Sequence, residues 1–314
     1  MAKILINDGM HPSGIQKLRD AGHTVVTDRI EQDQLMDKLP DFDAICVRSA
    51  TKVRADLIDN CPNLKVIGRG GVGLDNIDVE HAKSKGVAVK NTPAASSRSV
   101  AELAMGHALS LARFVHLSNR QMPEGGNSDF KSLKKSYSKG FELEGMTMGI
   151  IGFGRIGQEL AKVSFGMGMN VIAHDMRPVT AKITQKVGSH EVTNEIATKD
   201  IDEVLANADI ISLHVPFTGA AVLDTDAFAK MKDGVVILNA ARGGTIDEAA
   251  LLAALDSGKV GAAGLDVFEN EPTPKQELLV HPKISCTPHI GASTSQAQEK
   301  IGLELAENIM EVLG

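Results

Sequence analysis

MTMGIIGFGRIGQELAKVSFGMGMNVIAHD, residues 146–175, decides the fold. An apolar run ends in glycines at 152, 154 and 157, an amphipathic stretch follows, and a second apolar run closes on Asp175. That is a strand, a tight turn, a helix and a second strand. Gly152 permits the turn, Gly154 lets the backbone approach a pyrophosphate, and Gly157 lets the helix pack closely on the sheet. The helix N-terminus, with Arg155 and Ile156 in its first turn, presents free N–H groups and partial positive charge to phosphates. Glycine-rich turns are common, so the spacing alone is weak. Its placement between strand and helix, with an acid ending the second strand, points to a dinucleotide. Asp175 suits a ribose 2′-hydroxyl and repels a 2′-phosphate, favouring NAD over NADP, while Arg177 two residues on tempers that preference.

Outward from this unit the chain alternates strand and helix patterns throughout. KILIND, HTVVTD, AICVRS, KVIGRG and VAVKNTP give a first doubly wound unit. GIIGFG, NVIAHD, DIISLHVP, GVVILNAARG, GAAGLDVF and KISCTPHI give six strands of a second. SRSVAELAMGHALSLARFVHLSNRQM reads as one long helix opening the second unit, and residues 119–140 as the least regular stretch. SQAQEKIGLELAENIMEVLG is an amphipathic helix, with Ser293 and Gln296 as its capping box. Coming after the last strand, it is expected to return to the first unit. The expectation is an α/β protein of two doubly wound parallel-sheet domains. A Rossmann-type nucleotide domain, 98–289, is inserted into a flavodoxin-like substrate domain, 1–97 with 290–314.

A net charge of −7 argues against a nucleic-acid surface, which needs clustered Lys and Arg. FKSLKKSYSKG, residues 130–140, is a local basic run read as a solvated loop or arm. With 43% hydrophobic residues there is material for substantial cores, but no charge-free apolar stretch of membrane-spanning length. MAKILINDGM opens with a strand rather than a signal peptide. Cys46, Cys61 and Cys286 are too few and scattered for a zinc site or disulfide framework, so no metal is expected and a reducing cytoplasm is the natural compartment.

In open α/β sheets ligands bind beyond the carboxyl ends of strands. Three polar residues fall there: Arg242 after ILNAA, Glu271 after LDVFEN, and His289 after ISCTP. Singly, each has an ordinary explanation as a salt-bridge, turn or structural residue. Together they can converge on one cleft.

The whole chain resembles the D-isomer-specific 2-hydroxyacid dehydrogenases, most nearly their phosphoglycerate-oxidising members. The likeness is carried by VRSATKV (47–53), GRGGVGLDNID (68–78), NTP (91–93), GFGRIG, NAARGGTIDE, GLDVFENEP and CTPHIGAST. It implies a catalytic trio of Arg242, Glu271 and His289. It implies substrate loops carrying Arg48, Ser49, Arg69, Gly70 and Gly71. It also implies an NAD site along Val72, Arg155, Ile156, Asp175, Val215, Ala240, Ala241, Arg242, Asp266, His289, Ile290, Gly291 and Ala292, besides the three glycines. The family suggests a homodimer built around the helix near residues 101–114.

In chemical terms, His289 would exchange the proton of the substrate hydroxyl while hydride moves between carbon and nicotinamide. Glu271 would fix the imidazole tautomer and favour imidazolium, and Arg242 would grip the substrate carboxylate. His214 ends DIISLH without an evident acidic partner, so it reads as a pocket wall. Arg48 and Arg69 suit a distal phosphate, making 3-phospho-D-glycerate the favoured small-molecule substrate. Glyoxylate, hydroxypyruvate or another short oxoacid is the alternative. An NAD-sensing co-repressor-like binding protein shares the fold and trio and is the alternative of another class. Departures from the family pattern are a shortened loop after His214, near Phe217 and Thr218, together with Ser96 in place of Asn and Val72 in place of a hydroxyl residue. The sequence ends at Gly314, so the carboxyl-terminal serine-sensing domain of longer members is not expected.

Overall fold

The computed structural model describes all 314 residues as two compact units, Met1–Ser97 with Ala292–Gly314, and Arg98–Gly291. In the first unit five parallel strands, β1 (Lys3–Ile6), β2 (Thr24–Val26), β3 (Ala44–Val47), β4 (Val66–Arg69) and β5 (Ala88–Asn91), pair in the order β2-β1-β3-β4-β5. This is the flavodoxin-like order. Side-chain alternation splits the strands between two cores. Ile4, Ile6, Ala44, Cys46 and Val66 meet Leu305, Ala306 and Ile309 of the helix Ser295–Leu313. Leu5, Ile45, Val47 and Ile67 meet Leu35, Leu39, Leu57 and Ile58 on the other face. The carboxyl-terminal helix therefore does return to the first sheet. There Gly14 and Gly302 let it run backbone to backbone against the helix Pro12–Asp20, where a Cβ on Gly14 would strike the Gly302 carbonyl. Lys17–Glu307 and Lys90–Glu311 ion pairs flank that helix.

The second unit opens with the helix Ser97–Ala112 and continues with β6 (Thr147–Ile151), the helix Arg155–Gly166 and β7 (Asn170–His174). A hairpin of β8 (Thr180–Val187) and β9 (His190–Ala197) follows, then β10 (Ile210–Leu213), β11 (Val235–Asn239), β12 (Val260–Leu265) and β13 (Ile284–Cys286). The six-stranded sheet is parallel, ordered β13-β12-β11-β10-β6-β7. Successive strands run one way from β6 to β7 and the other way from β10 onward. The order reverses between β6 and β10, the position where such sheets bind ligands.

Four features differ from the sequence reading. The hairpin was not expected: Gly188 turns it at φ 62°, Ala181, Ile183 and Ile196 bury one face, and Lys182–Glu195 and Lys186–Glu191 face each other across the strands. The long helical pattern is broken, because Phe114 takes a left-handed φ of 55° and Phe141 N–H instead caps the Ala112 carbonyl at 3.0 Å. Residues 119–140 are not irregular but carry the helices Val115–Gly125 and Phe130–Ser136, so most of the basic run is an exposed helix rather than a loop. Neither helix has a buried residue. The last helix is capped by Thr294, not by a Ser293–Gln296 box: Thr294 Oγ1 accepts the Ala297 N–H at 3.1 Å.

Candidate active site

At the order reversal, β6 turns into its helix through Gly152 at φ 96°. A Cβ there would lie 2.5 Å from the His214 carbonyl at the end of β10, and one on Gly157 would strike the Gly152 carbonyl. Both positions therefore need glycine, one for its conformation and close approach, the other for helix–strand packing. Gly154 is the helix N-cap, and a Cβ on it would enter open space, the cradle a pyrophosphate requires. Arg155 and Ile156 form the first helical turn. Asp175 follows β7, accepting from Phe153 N–H at 2.8 Å and from Arg177 N–H at 3.3 Å. It lines a cavity of about 370 Å³ with Asp200, Glu203 and Lys199, and Lys199 is itself paired to Glu203 at 3.2 Å. The acidic balance disfavours an additional phosphate. Val215 borders Gly152.

The strand β11 ends at Asn239, whose buried side chain accepts from Ala241 N–H and donates to the Arg242 carbonyl at 3.1 Å and to Thr245 Oγ1 at 3.0 Å. Thr245 Oγ1 also donates to the Arg242 carbonyl at 2.7 Å. This fixes the turn through Ala240 and Ala241 that carries Arg242, whose guanidinium donates to the Ala241 carbonyl at 2.6 Å. A Cβ on Gly243 would strike the Phe268 carbonyl, so the Arg242 and Glu271 loops lie backbone to backbone.

Glu271 and His289, distant in sequence, are hydrogen-bonded at 2.8 Å through Oε2 and Nδ1. The Phe268 N–H holds the other carboxylate oxygen at 3.0 Å. Burial pushes the Glu271 carboxyl up, but the His289 and Phe268 hydrogen bonds, with the charges of His289 and Arg242, outweigh it and leave the pKa below the ordinary glutamate value. His289 is half exposed at its side chain and left-handed at φ 53°. Asp266, buried at the end of β12, accepts from the N–H groups of Ile290 and Gly291, both at 2.8 Å. His214 is half-buried, with Nε2 on Ser212 Oγ at 2.9 Å, and the desolvation of its ring pushes its pKa down to about 4. It is neutral at working pH, which suits a wall rather than a base.

In the first unit Val47 is in register with Arg69, which places Arg48 and Arg69 at neighbouring strand ends. Gly70 lies between them: a Cβ on it would sit 3.7 Å from Arg48 Cγ, and the Arg69 guanidinium lies over Gly71. Arg48 and Ser49 line a cavity of about 450 Å³ with Arg29, Thr27 and Asp8. Asp8 accepts from Arg48 N–H at 2.7 Å and from Thr51 N–H and hydroxyl at 3.0 and 2.6 Å, so its charge is turned onto the loop. Asn76 holds the Arg48 and Thr51 carbonyls. Val72 and Ala292 also belong to this unit, Val72 exposed. Arg29, Asp8, Asn76 and Asn239 escaped the sequence reading. Arg29 follows a short strand with no motif around it, and the others act through contacts that only the folded backbone creates.

Residues 105–291 match the family described as D-isomer specific 2-hydroxyacid dehydrogenase, NAD binding domain. The chain is 46% identical to a hydroxypyruvate reductase of Thermotoga maritima, covering 99% of this chain and 98% of that one. It is 42% identical to a D-3-phosphoglycerate dehydrogenase of Methanocaldococcus jannaschii, covering the whole chain but 58% of that relative. The crystal structure of a glyoxylate reductase from Paecilomyes thermophila superposes with a TM-score of 0.84 at 30% identity, over 99% of this chain and 94% of that one. The chain belongs to the D-isomer-specific 2-hydroxyacid dehydrogenases, NAD-dependent oxidoreductases acting on small 2-hydroxy acids. No helix is long and apolar enough to cross a membrane.

Proposed function

We propose that the protein interconverts 3-phospho-D-glycerate and 3-phosphohydroxypyruvate, as a homodimer in the cytoplasm. The observation that carries this reading is the cavity at the carboxyl ends of the first sheet, walled by Arg29 and Arg48. The Arg48 guanidinium has no acceptor within the protein and Arg29 is held by Glu31 alone, at 3.4 Å, so a phosphate would answer both cations with charge-assisted hydrogen bonds. A second reading, a hydroxypyruvate reductase, is favoured by the similarity to the Thermotoga maritima protein along its whole length.

In either reading NAD(H), when bound, supplies or takes the hydride. Gly152, Gly154, Arg155, Ile156 and Gly157 would hold its pyrophosphate and Asp175 its ribose. Val72, Val215, Ala240, Ala241, Arg242, Asp266, Ile290, Gly291 and Ala292 would line the remainder. Arg242 would hold the substrate carboxylate and polarise the adjacent carbonyl. His289 would donate or take the proton of the substrate oxygen at Nε2, since Nδ1 is engaged by Glu271. Glu271 stays ionised through the neutral range and stabilises imidazolium. Arg48, Ser49, Arg69, Gly70 and Gly71 of the first unit would contribute substrate contacts.

The test compares Arg48→Gln and Arg29→Gln, the two cations of that cavity, on two oxoacids with NADH. Loss of a charged hydrogen bond should raise KM for phosphohydroxypyruvate roughly tenfold or more, with glyoxylate changed about twofold or less. Equal losses on both substrates would sink the phosphate assignment. A native kcat/KM higher for hydroxypyruvate than for phosphohydroxypyruvate would select the second reading.

A further inference from the structure

The turn that carries His289 has an unusual foundation. His289 is one of two non-glycine residues at positive φ, a conformation that persists where surrounding structure over-determines it. The surrounding structure here is a chain of side chains ending on the helix Ser97–Ala112. Asp266 Oδ1 accepts the Thr287 hydroxyl at 2.6 Å as well as Ile290 N–H, and Oδ2 takes Gly291 N–H. Thr287 Oγ1 lies 3.0 Å from His107 Nε2, and Ser285 Oγ lies 3.0 Å from His107 Nδ1. The same helix reaches the turn again through Ser99, whose hydroxyl donates to the Gly291 carbonyl at 2.6 Å. His107 is 4% exposed and lies across Gly264 of β12, where a Cβ would fall 2.6 Å from the His107 Cβ. Glycine is what lets the imidazole come down onto the sheet between the ends of β12 and β13.

The proton positions in this chain are determined. A threonine hydroxyl has one hydrogen, and here it goes to a carboxylate, which can only accept. The Thr287 oxygen therefore faces His107 as an acceptor, and Nε2 must carry the ring proton. Nδ1 is then the bare nitrogen and takes the Ser285 hydroxyl. Burial lowers the His107 pKa, the nearby Asp266 charge opposing and His116 reinforcing, so the ring is neutral and this single tautomer suffices. Without the imidazole donor, the Thr287 oxygen would be left short of a partner in a partly buried site, its hydroxyl free to turn from Asp266.

We propose that His107 is a positioning residue for His289: fixed as the Nε2–H tautomer, it orders Thr287 and through it Asp266, which pins both N–H groups following His289. The inference rests on His289 being the acid–base residue. It assigns to a histidine outside the trio the task of keeping the imidazole of His289 at its reacting angle.

His107→Leu removes the donor at similar volume, and His107→Gln returns an N–H near the Nε2 position. In the leucine variant kcat for oxoacid reduction should fall roughly tenfold, as expected of a small misplacement, with KM for NADH within about twofold. The glutamine variant should recover most of that loss. In a His289→Gln background, His107→Leu should cost nothing further in kcat. Nitrogen-15 spectra of histidine-labelled protein should show His107 protonated at Nε2. An Nδ1–H tautomer, an unchanged kcat in His107→Leu, or an equal further loss in the His289→Gln background overturns the proposal alone. Full turnover by His289→Gln would overturn the acid–base reading and this proposal with it.

Discussion

Two turns in the second unit solve one problem by opposite means. At Gly152 the backbone reaches φ 96° because the residue has no side chain to object. At His289 it reaches φ 53° with an imidazole attached, and a buried carboxylate, a hydroxyl and a second imidazole hold it there. The first turn is written locally, in three glycines within six residues. The second is written across Asp266, Thr287 and the helix Ser97–Ala112. A turn that only has to admit a phosphate can be bare, whereas one that must aim a functional group needs the group and also the scaffold that tolerates it.

The largest effect expected from testing this contrast is at the aimed group. His289→Gln should cut turnover by ~10²- to 10⁴-fold at every pH while leaving NADH affinity, measured by fluorescence titration, close to native. Retained turnover would reduce the second turn to architecture. Next comes the bare turn: Gly152→Ala meets both an unfavourable φ and the His214 carbonyl at 2.5 Å, so it should cost about 1–3 kcal/mol and weaken NADH binding together with thermal stability. An alanine variant of native Tm and NADH affinity would show that the turn can rearrange. Asp175→Ala, at the far end of the same βαβ unit, should erode the preference for NADH over NADPH by roughly 1–3 kcal/mol in kcat/KM terms. A preference as strong as the native one would move cofactor choice elsewhere.

The smallest effect concerns pH. Glu271 has a lowered pKa in the folded protein, so its contribution to stability is present above the unfolded glutamate pKa and is lost as pH falls through the folded value. At neutral and alkaline pH its charge is always present beside the His289 ring. Glu271→Gln keeps the shape but removes that charge, so the stability lost between neutral and acid pH should shrink and kcat for oxoacid reduction should fall. An acid unfolding profile and a kcat both equal to the native ones would separate Glu271 from His289.

The same contrast explains what was legible in the sequence. GFGRIG with Asp175 announced its strand, helix and ligand because each residue acts within its own βαβ unit. Arg242, Glu271 and His289 were marked by ending apolar runs, and the family likeness tied them together. The hairpin left a readable signal, alternation on both sides of Gly188–Ser189, but a parallel pattern had filled the expectation. The break at Phe114 was not readable, because its cause is Phe141 capping Ala112 from beyond two intervening helices. His107 looked like any residue of an apolar helix face. Its partners Ser285 and Thr287 are 178 and 180 residues away.

The returning helix Ser295–Leu313 bears on how the chain acquires its shape during synthesis. Gly68 of β4 leaves room for Ile309 and Leu305, at 2.8 and 3.0 Å from where its Cβ would be, and the same helix face covers Ile4, Ile6 and Cys46. All five strands of that sheet have been made by residue 91, yet the apolar face meant for the helix stays open until the whole second unit has been translated. The second unit, continuous in sequence, can complete its core first. The first must wait with an apolar surface exposed until its own last helix arrives to cover it.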